Sequence, residues 1–435
     1  MEYFGGQYIP SSGKMPEYGK KKEEKKEHEM GFMKKLFFWI MLLAFTVGFA
    51  VTLAEVVLRA VPGQWSNTFF HRYDPVLGTW HIESHTGDYR QQDFDTKGIS
   101  INAFGMRDRE RTLERQSSST VRIAVLGDSF TEAFHVANEE TFTRVLEDGS
   151  KGAWEVMNFG VSGFGTVQEL LTYREHVRQF KPDVVVLAFL PANDMRNNLK
   201  QLEDAYTGNS NIDRPFVERR ATNTWVIMPP QPKPSANNPA LLYVKKHFTL
   251  YRFLWYAKGT YQARFATVPA DVSGATTTSA TVATTTATNI NAYLAKLFAP
   301  PKEQEFVDAW EGTEWAIKTL KQEVEKDGGK FVLLVLPDAV AMEKDPRATL
   351  ESQYGVSLPK EYDIDYPAKR LSQFSKKEKI NYYDLTSEFR KERDRNNMKA
   401  PFFSYEHDGH WAPVGHKFAA SLIERYLLGS GVLKQ

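Results

Sequence analysis

The sequence predicts an α/β domain built on an open, five-stranded parallel sheet and preceded by one membrane-spanning helix. Two patterns carry this. From Val121 onward, short apolar runs alternate with helix-length amphipathic stretches, as parallel strands with helical crossovers do. Ahead of them, Leu36 to Ala54 is an apolar run without a single charge. With 42% hydrophobic and 13% aromatic content over 435 residues, the chain can bury one large core or two smaller ones.

Residues Met1 to Met30 are polar, carry the mixed-charge run Lys20 to Glu27 and have little to bury, so residues 1–33 read as a disordered cytoplasmic tail. The run LFFWIMLLAFTVGFAVTLA then matches the length needed to cross about 30 Å of hydrocarbon, giving a span over 34–58. Lys34 and Lys35 abut its start, whereas Glu55 and Arg59 follow it, and the positive-inside rule puts the N-terminus in the cytoplasm and everything after about Val61 outside. A cleaved signal peptide is the competing reading, but the run is longer than a typical signal core and lies behind some thirty polar residues.

Residues 59–120 form a juxtamembrane segment. Pro62 to Ser119 mix Gly, Asp and aromatic residues without a sustained period, which predicts short irregular strands packed on the main domain. The main domain, 121–430, has candidate strands at Val121 to Leu126, Trp154 to Asn158, Asp183 to Phe189, Lys330 to Leu336 and Ile380 to Leu385. Helical stretches at Glu139 to Glu147, Thr166 to Gln179, Glu303 to Lys326, Tyr366 to Lys377 and Lys417 to Leu428 place apolar residues three and four apart.

An insertion at about 200–300 interrupts this alternation. In it, Leu241 to Tyr261 mixes aromatics with Lys and Arg, which suits either a helix on a membrane surface or one packed on its own domain. Ser273 to Thr288 is a Thr/Ala tract without large side chains, so it adds nothing to a core and reads as a mobile insertion.

Composition narrows the chemistry. Fifty-five Lys and Arg nearly cancel 54 Asp and Glu, leaving no global field to draw nucleic acid. The absence of cysteine excludes thiolate nucleophiles and Cys-ligated zinc. Serine or carboxylate chemistry is left, or none.

Four motifs fall after successive strands. In Val125-Leu126-Gly127-Asp128-Ser129-Phe130-Thr131-Glu132 a serine stands where a strand turns into a helix. It is either a nucleophile beyond the strand's carboxyl end or merely a helix cap. The turn Asn158 to Thr166 (NFGVSGFGT) is rich in glycine, and a free N–H at Gly163 can donate to an oxyanion. Its order of glycines does not fit a dinucleotide fingerprint, and no P-loop lysine follows. The third strand ends in PAND, whose Asn193 either adds a donor to that oxyanion or only closes the turn. Near the C-terminus stands YEHDGHWAPVGH, in which His410 and Asp408 offer a general base and its orienting acid from one loop.

Taken together, Ser129, Gly163, Asn193 and His410 in that order resemble the four blocks of the SGNH/GDSL hydrolase superfamily, over roughly Val121 to Leu428. The resemblance implies a three-layer, flavodoxin-like fold. It also implies a serine mechanism in which the Ser129 N–H, the Gly163 N–H and the Asn193 amide hold the oxyanion. Many members carry the acid as D-x-x-H. Here that position is His407 and the acid is Asp408, the D-x-H spacing of some polysaccharide-acetylating relatives, with Glu406 in reserve.

The expected substrate is an acylated small molecule or polysaccharide. The acyl-enzyme is resolved by water in an esterase or by a sugar hydroxyl in an O-acetyltransferase. A non-catalytic glycan-binding or scaffold protein is the third reading. A zinc site from His407, His410, His416 and Asp408 leaves Ser129, Gly163 and Asn193 without a role, so no metal or cofactor is expected.

Overall fold

The computed structural model describes residues 17–115, 117–207, 213–231, 238–265, 293–337, 339–353, 357–396 and 403–433. The chain divides into two compact units, Met1–Val61 and Pro62–Gln435. In the first, one helix, α1 (Glu17–Ala60), contains the stretch Gly31–Ala60, which is long and apolar enough to cross a membrane. Its large apolar side chains, Phe37, Phe45 and Phe49 among them, are exposed. The helix begins at Glu17, so residues 17–33, expected to belong to a disordered tail, are helical; Lys and Glu dominate that stretch and both are good helix formers. Residues 1–16 and the Ser273 to Thr288 tract lie outside the described residues.

The second unit opens with a 3-10 turn (Gln64–Ser66) and two antiparallel hairpins, β1 (His71–Asp74) with β2 (Gly78–His81) and β3 (His85–Arg90) with β4 (Asp95–Ile101). These strands are short, the β3–β4 pair shifts register between Gly87 and Tyr89, and the segment packs on the main domain: Leu77, Trp80 and Met106 lie in the main hydrophobic core.

The central sheet comprises β5 (Val121–Gly127), β6 (Trp154–Gly160), β7 (Val184–Phe189) and, after a hairpin of β8 (Phe216–Arg219) and β9 (Trp225–Met228), β10 (Lys330–Val335) and β11 (Asn381–Asp384). All its pairings are parallel, in the spatial order β6-β5-β7-β10-β11. Counted by the sheet's own strands this is 2-1-3-4-5, the flavodoxin-like order, whose ligand crevice opens beyond the carboxyl ends of the first and third strands, here β5 and β7.

Period-two alternation supplies two cores, one on each face. Ala124, Leu126, Val185, Leu187, Leu333 and Val335 face one; Ile123, Val125, Val184, Val186, Val332 and Leu334 face the other. A one-turn helix, α2 (Ser129–Glu132), follows β5. Next come α3 (Phe142–Gly149) and α4 (Thr166–Thr172), the latter continuing through a π segment (Tyr173–Val177) into a 3-10 turn (Arg178–Phe180).

Further helices are α5 (Pro191–Asn197), α6 (Lys200–Thr207), α7 (Pro239–His247), α8 (Thr249–Phe265), α9 (Gln304–Lys326), α10 (Pro346–Gln353), α11 (Tyr366–Glu378), α12 (Thr386–Arg395) and α13 (Pro413–Gly429), and residues 293–297 are helical too. Apolar residues of α4, α9 and α11 fill the first core, and those of α3, α12 and α13 fill the second. The result is three layers, as the sequence predicts. Helix α13 starts at Pro413, ahead of the expected Lys417, because a proline fits the first turn, where its missing N–H costs nothing.

One buried cation ties the segment before the sheet to it. Arg122, at the start of β5, donates to the Glu155 carboxylate at 2.6 Å and to the carbonyls of Leu113, Phe180, Thr112 and Glu114 at 2.7–2.9 Å. Replacing it by leucine leaves those acceptors without their donors. Arg122→Leu is expected to cost about 3–5 kcal/mol of stability, read as a lower midpoint in urea unfolding of the full chain in detergent.

Candidate active site

Strand β5 delivers the chain to the crevice and α2 turns it sharply back. The cap of α2 is Asp128, whose carboxylate accepts the Phe130 N–H at 2.9 Å, so Ser129 is not the cap; it is the first helical residue. After a single turn, Ala133 adopts a left-handed conformation (φ 60°) that is uncommon for a residue with a Cβ, and the chain reverses. The buried Arg107 holds this reversal by donating to the carbonyls of Glu132, Ala133 and Val136; burial pushes its pKa down to about 10, so it stays charged at neutral pH. Gly160, at the end of β6, lies against the backbone of Thr131 and Glu132, where a Cβ has no room.

The loop before α13 brings the base. The Ser129 hydroxyl is 2.8 Å from His410 Nε2, across 281 residues of sequence. On the other side of the ring, His410 Nδ1 is 2.5 Å from Asp408 Oδ1. A carboxylate only accepts, so the ring proton sits on Nδ1, and Nε2 presents its lone pair to the serine O–H. The side chains of Asp408 and His410 are 21% and 24% exposed, enough for a substrate to reach them. The sequence-predicted nucleophile, base and acid therefore stand in one hydrogen-bonded line. Glu406, the reserve acid, is an exposed neighbour.

Several residues around this line were not singled out from sequence. His135, delivered by the reversal at Ala133, stacks on His410 with ring centroids 3.7 Å apart and an interplanar angle of 16°. Burial holds the His135 pKa well below the usual histidine value, so it is a neutral plate beside the base. Phe130 packs near the same ring at 4.9 Å. From the β3–β4 turn, Asp93 accepts the His407 N–H, His407 Nδ1–H at 2.6 Å and the Asp408 N–H at 3.3 Å. Its neighbour Phe94 meets His135 edge-on at 5.2 Å and packs on Tyr405. The hairpin before the sheet thus clamps the loop that carries Asp408 and His410.

These contacts also separate the groups of the zinc alternative. His407 turns to Asp93, and the buried His416 accepts the Phe142 N–H through Nδ1 at 3.3 Å. His135, Asp408 and His410 do lie close enough to share an ion, but Asp408 and His410 belong to the serine line.

Gly163 and Asn193 frame the opposite side. Gly163 is left-handed (φ 76°), and its carbonyl accepts from Asn197 at 2.6 Å and from the half-buried Arg214 at 2.9 Å. The Ser129 and Gly163 N–H groups donate to no main-chain acceptor among the described residues. Asn193, in the first turn of α5, gives one amide hydrogen to Asp128 Oδ2 at 2.8 Å and keeps the other.

A second anchor underlies this side. The buried Glu132 carboxylate accepts from His81 Nε2 at 2.7 Å, from His71 Nε2 at 3.1 Å and from the Ser162 hydroxyl. Burial opposes its ionisation, but the two imidazoles hold its pKa well below the usual glutamate value.

Beneath the serine turn lies a carboxyl of opposite character. Both oxygens of Glu169, on α4, are buried without a partner among the described residues. Burial, and then the Asp128 charge, push its pKa well above 4.5, so it is a neutral acid.

No protein-family model matches the chain, and no curated protein sequence matches it. Solved structures do, in fold. The acetyl xylan esterase AlAXEase aligns over 70% of this chain and 98% of its own at 15% identity, with a TM-score of 0.35. A GDSL-like lipase from Bacteroides thetaiotaomicron aligns over 74% and 93% at 13% identity, TM-score 0.32. An acetyl-xylooligosaccharide esterase from Geobacillus aligns over 72% and 96% at 12% identity, TM-score 0.33.

Two consequences follow from this geometry. Asp408→Asn puts an amide against Nδ1 and favours the wrong tautomer, so ester turnover should fall about 10³- to 10⁴-fold with the fold retained. Asp93→Ala, which frees the loop without touching the reacting groups, should lower kcat about tenfold with a nearly unchanged KM. The pH dependence tests Glu169. Its raised pKa contributes stability that is fully present below its unfolded value near 4.5 and is lost as pH rises toward the folded value. Glu169→Gln lacks that loss, so its stability advantage over the native chain should grow from pH 4.5 to pH 7 in thermal unfolding.

Proposed function

We propose that this chain is a serine ester hydrolase of the SGNH/GDSL type, held at a membrane by α1 with its catalytic unit on the outer side. The proposed substrates are O-acetyl groups of a polysaccharide or cell-wall glycan. The observation that carries the reading is the Ser129–His410–Asp408 line at the crevice between β5 and β7. In the reaction His410 Nε2 takes the Ser129 proton, and Ser129 Oγ attacks the ester carbonyl. The Ser129 N–H, the Gly163 N–H and the free amide hydrogen of Asn193 are the proposed donors to the oxyanion. His410 then protonates the leaving alcohol, and water resolves the acyl-enzyme by the same steps reversed.

Position supports the glycan assignment in part. Lys34 and Lys35 at the start of the apolar stretch favour a cytoplasmic N-terminus, and a catalytic unit outside the membrane meets exported polymers. The D-x-H spacing of Asp408 and His410 favours a second reading, O-acetyl transfer, in which a sugar hydroxyl replaces water.

The test is p-nitrophenyl acetate turnover by the full chain in detergent, with and without an oligosaccharide acceptor. Ser129→Ala and His410→Ala are each expected to lower kcat by about 10³-fold or more without altering the circular dichroism spectrum. Acetylated oligosaccharide among the products would decide for transfer; an inactive, folded native chain would contradict both readings.

A further inference from the structure

Helices α7 and α8, in the insertion, carry aromatic surface that the domain core does not use. Tyr243, Phe248, Leu254, Trp255 and Tyr261 are exposed, Trp255 by 70%. Between Pro239 and Tyr261 the sequence also holds Lys245, Lys246, Arg252 and Lys258 and no acidic residue. That charge is felt locally. Burial lowers the His85 pKa, and the nearby charges of Lys246 and Arg252 lower it further. A surface that pairs Trp and Tyr with Lys and Arg suits the boundary of a bilayer, where rings sit at headgroup level and cations meet lipid phosphate.

The other side of α8 packs on the 3-10 turn at the start of the unit. Trp65 meets Phe253 edge-on at 5.5 Å, and the Tyr256 hydroxyl donates to Gln64 Oε1 at 3.0 Å. Gln64 follows Ala60, the last residue of the apolar helix, by four residues. An extended chain gains about 3.5 Å per residue, so in any orientation the turn stays within about 14 Å of the end of that helix. We propose that the exposed aromatic and basic face of α7 and α8 docks on the headgroup layer of the membrane that α1 crosses, with preference for anionic phospholipid. This inference rests on the membrane-anchored reading of α1. A partner protein or a second copy could also cover aromatic residues, but neither explains why the surface lies one short tether from an apolar helix and why Pro239 to Tyr261 holds cations and no carboxylate.

The docking surface is joined to the catalytic loop. Gln64 Nε2–H donates to Gln91 Oε1 at 3.0 Å, and Asp93, two residues further, holds His407 and Asp408.

The absence of cysteine makes the test direct. The full chain is reconstituted in phosphatidylcholine bilayers with and without phosphatidylglycerol, with a nitroxide on a single thiol at Leu254→Cys or Tyr243→Cys. Asp148→Cys on α3 is the water reference and Phe45→Cys in α1 the lipid reference. Collision with oxygen relative to a nickel chelate should be several-fold higher at 254 and 243 than at 148, and higher still with phosphatidylglycerol. Values at 254 and 243 equal to those at 148, with 45 in lipid, would overturn the docking while leaving the anchor intact. Suppression of both collisions would overturn it in favour of a covering protein. An aqueous reading at 45 would instead contradict the anchor itself.

Discussion

A single proton, held on Nδ1 of His410 by the Asp408 carboxylate, decides which way the rest of the site must face. With that nitrogen committed to the acid, only Nε2 can receive a proton, and Nε2 is aimed at the Ser129 hydroxyl. The constraint joins two loops at opposite ends of the domain sequence. It is met because α13 packs on the doubly wound sheet that holds β5, so the loop before it reaches the crevice beyond that strand. Around it the packing serves orientation: His135 and Phe130 flank the imidazole, and Asp93 binds the backbone of the acid's loop.

The hairpins before the sheet have a larger part than a linker does. β1 and β2 reach Glu132 through His71 and His81, and the β3–β4 turn reaches His407 through Asp93. Both contacts fall next to reacting groups, since Glu132 ends the helix that Ser129 begins and shares its carboxylate with Ser162, the neighbour of Gly163. The unit that holds the Ser129–His410–Asp408 line therefore extends back to Pro62. Buried charge is sorted accordingly. Glu132, with two imidazoles, is held ionised, whereas Glu169, with no partner among the described residues and Asp128 nearby, is held neutral.

Much of this was legible in the sequence, for a physical reason. β5, β7 and β10 are nearly continuous apolar runs because both faces of a parallel sheet are buried at its centre, and the observed ends of all five strands fall within two residues of those expected. Ser129, His410 and Asp408 were legible because strand-to-helix turns and one short loop fix them locally. His135 was not, since its approach to His410 depends on the left-handed turn at Ala133, which no residue preference announces. Asp93 and the two histidines on Glu132 were illegible because their partners are far off in sequence and the hairpins show no sustained period. The stretch Leu241 to Tyr261 read as one segment; it is two helices, with α7 ending at His247 and α8 beginning at Thr249.

A serine activated by a histidine can be captured covalently, and Ser129 beside His410 is such a serine. A fluorophosphonate reacts with activated serines, and tryptic cleavage after Arg122 and Arg144 releases a peptide, Ile123 to Arg144, whose only serine is Ser129. Mass spectrometry of the labelled full chain should find the phosphonyl group on that peptide, and it should be missing when His410 is replaced by alanine. An unlabelled peptide from the folded chain, or labelling that persists without His410, would contradict the account.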